Sequence, residues 1–202
     1  MMTETKTVTV GTEVPNFDLE IYDPAERAFG KLSLAGLREK KQWTVLVFYP
    51  ADFTFVCPTE LADLGEKYEA LKQLGAEVIS VSTDTKFTHL AWKDAEKLLA
   101  NVKYPMGADP TGNVSRLFGV YDCRSGLALR GTFIINPAGT LVSAEINFYN
   151  VGRNADELLR KMEANAYLAH HPDEACPAKW KQGAKTLKPS EQLVGKVYEA
   201  LQ

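Results

Sequence analysis

Apolar positions along this chain switch repeatedly between a strand period and a helix period. Residues 44–49 form an almost continuous apolar run, which predicts a strand buried on both faces. Residues 58–74 follow at helical spacing, with Leu61, Leu64, Tyr68 and Leu71 on one face and Gly75 as the stop. Residues 77–81 are rich in β-branched side chains and predict a second strand, and residues 85–99 a second helix. An irregular stretch over 105–112 precedes a short helix at 114–118. Residues 131–135 and 140–147 flank Asn136, Pro137, Ala138 and Gly139, the signature of a hairpin. Asn154, with Glu157 three positions on, resembles a capping box that opens a long helix to about Leu168. Beyond Pro172 the chain is rich in Lys, Pro and Gly and predicts an extended arm. Its tip, residues 191–201, reads equally as a short helix or as disorder.

Right-handed crossovers favour parallel pairing of the early strands, and the late hairpin adds antiparallel ones. The expected class is therefore α/β: a thioredoxin-like fold, with a mixed central sheet, helices on both faces and an extended C-terminal arm. The expected division is a domain over 1–168 and an arm over 169–202. No internal repeat or Gly/Ser-rich linker interrupts it.

A hydrophobic fraction of 45% and a charged fraction of 24% are those of an ordinary globular protein. A net charge of -3 argues against a general nucleic-acid binder. No apolar run approaches the roughly 20 residues of a membrane helix. Residues 1–10 are polar and Thr-rich without the apolar core of a secretory signal, so a cytoplasmic location is expected. Cys57, Cys123 and Cys176 form no C-x-x-C pair and, with His89, His170 and His171, lack zinc-site spacing. A structural zinc site is not expected.

The informative segment is FYPADFTFVCPTEL, residues 48–61. Pro58 suits the first position of a helix, where a missing N–H costs nothing. Cys57 then stands at or beside the N-cap, where unpaired amides and the helix dipole favour a thiolate, the nucleophilic form of cysteine. Thr54, three residues upstream, is close enough to hydrogen-bond the sulfur or a substrate oxygen. Pro50 ends the preceding strand and can shield the pocket from water. Pattern alone leaves two readings open, because a free cysteine before a helix also serves as a buried apolar filler.

Pro50, Thr54 and Cys57, at this spacing, match the active-site signature of the peroxiredoxins, and the string around them resembles the typical two-cysteine subfamily. PNFDL (15–19) resembles that family's opening strand, FTHLAW (87–92) its second helix and RGTFII (130–135) the strand bearing its arginine. Gly152, Arg153 and residues 156–159 resemble the start of its long helix, and CPAKW (176–180) the site of its resolving cysteine. KTLKP (185–189) and LVGK (193–196) resemble the tail of the bacterial alkyl hydroperoxide reductase C group.

The resemblance implies the site roles, and it implies no metal or other cofactor. Cys57 is the peroxidatic nucleophile, Thr54 and Arg130 are donors to the peroxide oxygens, and Glu60 with Arg153 holds Arg130. Cys176 of the partner subunit resolves the Cys57 sulfenic acid to an intersubunit disulfide. Reaching it requires the turn at Cys57 to unwind. Cys123 matches no family position. The implied partners are a hydroperoxide, a flavoprotein disulfide reductase or thioredoxin as reductant, and a second copy of the chain. That homodimer joins through residues 140–147, and five dimers close a decamer. The family's GGLG insertion and terminal Tyr-Phe pair, which mark forms sensitive to over-oxidation, are absent. Competing readings are a ring acting mainly as a holdase, a protein disulfide oxidoreductase, a one-cysteine mechanism, and a Cys–His hydrolase using His89.

Overall fold

A computed structural model of the chain describes residues 7–202. Residues 1–6, part of the polar N-terminal stretch, lie outside the described residues. The chain opens with β1 (Asp18–Asp23), β2 (Ala28–Ser33) and α1 (Leu34–Glu39), then β3 (Trp43–Phe48) and α2 (Cys57–Gln73). Next come β4 (Ala76–Ser82), α3 (Lys86–Ala95), β5 (Met106–Ala108) and α4 (Asn113–Leu117). A small hairpin of β6 (Tyr121–Asp122) and β7 (Leu127–Ala128) precedes the larger one of β8 (Arg130–Ile135) and β9 (Leu141–Asn147). Helices α5 (Ala155–His170) and α6 (Val197–Leu201) complete the order.

The main sheet runs β2-β1-β5-β4-β3-β8-β9. The central strands β3, β4 and β5 are parallel, and the flanking pairs are antiparallel, so the sheet is mixed as expected. Every residue of β3 is buried, which explains its almost continuous apolar run. Leu46, Phe48, Ile79, Val81 and Phe133 join Leu34 and Leu37 of α1 and Val114 and Leu117 of α4 in one core cluster. The alternate set, Val45, Val47 and Val78, is buried as well, and α2 packs against β4. Both faces of the central strands are thus closed to water, and the loops at the carboxyl ends of β3 and β4 are free to carry chemistry.

Several elements depart from the periodicity. Strands β1 and β2 were not expected from the hydrophobic pattern; β2 is an edge strand with no buried residue, so it carries no alternation. Strand β5 lies inside the stretch expected to be irregular. Its three residues are too few to show a period, and they are buried because they sit between β1 and β4. The helix expected over 85–99 ends at Ala95, because Glu96 is extended (φ -94°, ψ 112°). The Glu96 carboxylate accepts the Leu98 N–H at 3.1 Å and opens a separate 3-10 turn, Lys97–Asn101.

The chain divides into two compact units, Met1–Ala155 and Asp156–Gln202. Within the second unit, Tyr167 stacks on His171 with centroids 4.0 Å apart and its hydroxyl donates to Glu174 at 2.8 Å. Arg160 Nη1 donates to the Trp180 carbonyl at 3.2 Å. An isolated bridge pairs Ala175 with Leu187, and the tip forms a short 3-10 turn and α6.

Candidate active site

Strand β3 delivers the chain to residues 49–56, and α2 begins at Cys57. Pro58 is the second helical residue, one later than expected, and Val56 is the N-cap. Val56 has no side chain able to cap, so its carbonyl alone takes the Thr59 and Glu60 amides, at 3.1 and 3.2 Å. The positive end of the helix dipole falls beside Cys57. Cys57 itself is fully buried.

Arg130 opens β8, and the pairing of β8 with β3 brings it to Cys57. Its Nη1 donates to Cys57 Sγ at 3.4 Å and also to Glu60 Oε2. Its Nε donates to the Tyr149 carbonyl at 2.7 Å. Glu60 in turn accepts from the Arg153 backbone N–H at 2.9 Å, from its Nε at 2.8 Å and from its Nη2 at 3.1 Å. Arg153 Nη1 reaches back to the Gly131 carbonyl at 2.9 Å and to Thr132 Oγ1 at 3.2 Å. The carboxylate of Glu60 therefore takes four donors from two guanidinium groups and one amide. All three side chains are at most 8% exposed. Two arginines and one glutamate leave a surplus positive charge directed at the sulfur, in a medium where screening is weak. The surplus suits an anion at that point.

Thr54 lies in the loop between β3 and α2. Its hydroxyl donates to the Ala51 carbonyl at 2.8 Å, and no hydrogen bond joins it to Cys57 among the described residues. The hydroxyl proton is committed to the turn, so toward the pocket Thr54 offers lone pairs and can accept an O–H. Pro50 is buried two residues past the end of β3.

The other candidates fall elsewhere. His89 is fully buried, with Nδ1 2.8 Å from Asp52 Oδ2 and Nε2 3.1 Å from the Gly107 carbonyl, so both ring nitrogens are occupied and neither serves a hydrolase nucleophile. Cys123 is exposed in the turn between β6 and β7. Cys176 is half-buried on the arm, next to the Ala175–Leu187 bridge. Burial and the nearby Glu174 push its thiol up from the ordinary range, with Arg160 opposing. All three cysteines are free. No group of His, Cys, Asp and Glu suited to a metal occurs among the described residues, and no described helix is long and apolar enough to cross a membrane.

Sequence reading missed three supports. Tyr149 holds Arg130 through a main-chain carbonyl, which no side-chain motif records. Its own hydroxyl donates to Asp122 at 2.9 Å and meets Ser125 Oγ at 2.8 Å. Asp63 accepts the first N–H of α5, that of Ala155, at 2.7 Å and so steadies the segment bearing Arg153. Asp52 lies inside the quoted motif, yet two of its partners, Asp84 and His89, come from the loop after β4 and from α3.

The family model described as AhpC/TSA family matches residues 10–144, and that of the C-terminal domain of 1-Cys peroxiredoxin matches residues 168–200. An alkyl hydroperoxide reductase C of Ferdinandcohnia aciditolerans is 55% identical over 158 residues, 78% of this chain and 94% of that protein. The alkyl hydroperoxide reductase C of Bacillus subtilis is 47% identical over 188 residues, covering 93% of this chain and 98% of that one. Among solved structures, Enterococcus faecalis AhpC is 44% identical with a TM-score of 0.78, over 83% of this chain and 98% of that one. The reduced 2-Cys peroxiredoxin of Plasmodium vivax is 34% identical with a TM-score of 0.85, over 91% and 94%. A buried cysteine at a helix start, an arginine donating to its sulfur and matches over most of the chain agree: the chain belongs to the AhpC/TSA family of peroxiredoxins, enzymes that reduce hydroperoxides with a cysteine thiol.

Proposed function

We propose that Cys57 is the peroxide-attacking thiol of this enzyme, and that hydrogen peroxide and small organic hydroperoxides are its substrates. The observation that carries the assignment is the Arg130 Nη1–Cys57 Sγ hydrogen bond of 3.4 Å, made by a guanidinium that Glu60 and the Tyr149 carbonyl hold in place. In the attack the sulfur forms a bond to the terminal peroxide oxygen, the O–O bond breaks, and the leaving oxygen departs as water or an alcohol after taking a proton. Negative charge moves from sulfur to that oxygen, and Arg130 lies where it can follow the charge. Thr54, with its proton on Ala51, accepts the O–H of the incoming hydroperoxide and turns its distal oxygen to the sulfur. Pro50 covers the pocket.

The product is a sulfenic acid at Cys57. Cys176 of the partner subunit attacks it, releasing water and forming an intersubunit disulfide. A dithiol reductant, either a flavoprotein disulfide reductase or thioredoxin, restores both thiols. The arm after residue 168 is the part that presents Cys176. Pairing between subunits through β9 is supported by its place at the sheet edge and by exposed Ile146 and Phe148 at its end. A ring of five such dimers and a cytoplasmic setting complete the reading; free, scattered cysteines suit a reducing compartment.

Peroxide consumption followed in parallel with thioredoxin and with a dedicated flavoprotein reductase tests the cycle and identifies the reductant. Cys57→Ser is expected to abolish turnover with either; retained turnover would reject Cys57 as nucleophile.

A further inference from the structure

The segment leading into Cys57 contains a residue that its backbone does not favour. Phe53 has φ +54°, in the left-handed region, and it is neither glycine nor asparagine. Such a residue persists only where its surroundings over-determine it. On one side of it, Thr54 Oγ1 closes the turn onto the Ala51 carbonyl. On the other side stands Asp52, tied more heavily than any other residue of the loop. Its backbone N–H donates to Asp84 Oδ2 at 2.9 Å, and Asp84 Oδ2 also accepts the Ser82 hydroxyl at 2.7 Å. Its Oδ1 accepts the Tyr49 hydroxyl at 2.7 Å, and its Oδ2 lies 2.8 Å from His89 Nδ1.

The proton arrangement follows from the partners. A carbonyl only accepts, so His89 Nε2, 3.1 Å from the Gly107 carbonyl, carries a hydrogen. One further proton lies between Nδ1 and Asp52 Oδ2, in a pair whose side chains are wholly buried. Burial raises the Asp52 carboxyl above its ordinary range, against the pull of His89, and burial keeps Tyr49 protonated as a donor. The end of β3, the loop after β4 and α3 therefore converge on Asp52, with β5 behind them on His89. None of these groups belongs to the Arg130–Glu60–Arg153 cluster.

Resting on the reading of Cys57 as the peroxide thiol, we propose that Asp52 and His89 are positioning residues for Cys57 and Thr54. They lock the left-handed turn at Phe53 that aims Thr54. They also keep that turn fixed while the first turn of α2 unwinds to release the oxidised sulfur. Neither touches the substrate. The pair acts by hydrogen-bond geometry, and an amide can reproduce that geometry. In Asp52→Asn the side-chain carbonyl accepts from Tyr49, the amide N–H donates to Nδ1 of neutral His89, and Nε2–H stays on Gly107. Asp52→Leu keeps the bulk and loses every side-chain bond. Tyr49→Phe removes a single donor from a fully buried site and tests the same bonds if the leucine variant does not fold.

The test is the second-order rate constant for oxidation of Cys57 by hydrogen peroxide, taken by stopped flow at 25 °C alongside a thermal melt of each variant. A misplaced reacting group costs on the order of 10²-fold, so Asp52→Leu is expected to react about 100-fold slower and Tyr49→Phe about tenfold slower. Asp52→Asn is expected to stay within about threefold of the unsubstituted enzyme. A purely structural role would lower the melting temperatures and leave the rates at 25 °C alike. Rates for Asp52→Leu or Tyr49→Phe equal to the parent's, or an Asp52→Asn rate closer to theirs than to the parent's, overturn the proposal. An unsubstituted enzyme that does not consume peroxide overturns instead the reading of Cys57 on which it rests.

Discussion

Glu60 stands between two guanidinium groups, its Oε2 shared by Arg130 and Arg153 and its Oε1 held by Arg153, which keeps Arg130 against the Cys57 sulfur. Removing that carboxylate strands two buried cations. Glu60→Leu is therefore expected to cost about 3–5 kcal/mol of stability, read as a lowered midpoint of urea unfolding, and to slow peroxide reduction as Arg130 loses its anchor. Cys176 answers to a different carboxylate. Glu174 is held anionic, its carboxyl below the usual range, by hydrogen bonds from Thr186 and Tyr167, and its charge opposes ionisation of the thiol. Glu174→Gln removes a like charge, so the Cys176 thiolate forms at lower pH. The alkylation rate of Cys176, measured against pH in a Cys57→Ser, Cys123→Ser background, is expected to show its midpoint displaced downward. An unmoved midpoint would leave burial as the cause of the raised value.

At the scale of elements, the start of β8 is where packing and chemistry meet. Gly131 follows Arg130, and a Cβ there would fall 2.7 Å from the Phe133 ring and 2.8 Å from Val120. Both neighbours belong to the core cluster and cannot swing away. Gly131→Ala is expected to destabilise the chain by about 1–3 kcal/mol and to lower the peroxide rate, because the strand end that carries Arg130 must shift. Thermal melts and stopped-flow rates on the one variant check both halves. The helix elements were legible from spacing wherever an apolar face repeats, as in α2, whose Leu61, Leu64, Tyr68 and Leu71 are all buried. Strands β2 and β5 were not, since an exposed edge and a three-residue strand carry no period. The break at Glu96 escaped as well, because a side chain capping the next turn competes locally with continuing the helix.

At the scale of the whole molecule, the catalytic cycle proposed here needs two copies. Oxidised protein is expected to run as a covalent dimer on a gel without reductant, and Cys176→Ser to run as a monomer on the same gel. A covalent dimer that survives this substitution would shift the resolving role to Cys123 or another thiol.

The sequence by itself determined the mixed α/β class, a helix opening beside Cys57 and the family signature of Pro50, Thr54 and Cys57, because periodicity and short motifs are local properties of the chain. It also marked Arg130, Glu60 and Arg153 as a group, though only through resemblance, since 93 residues separate Glu60 from Arg153. Tertiary structure alone decided that these three meet in one buried cluster, that Thr54 spends its proton on Ala51, and that Tyr149 contributes a backbone carbonyl. It also joined Asp52 to Tyr49 and His89. The reason is physical: a side chain's type can be read from the chain, but its hydrogen-bond partner is chosen by strand register and burial, which bring distant residues together.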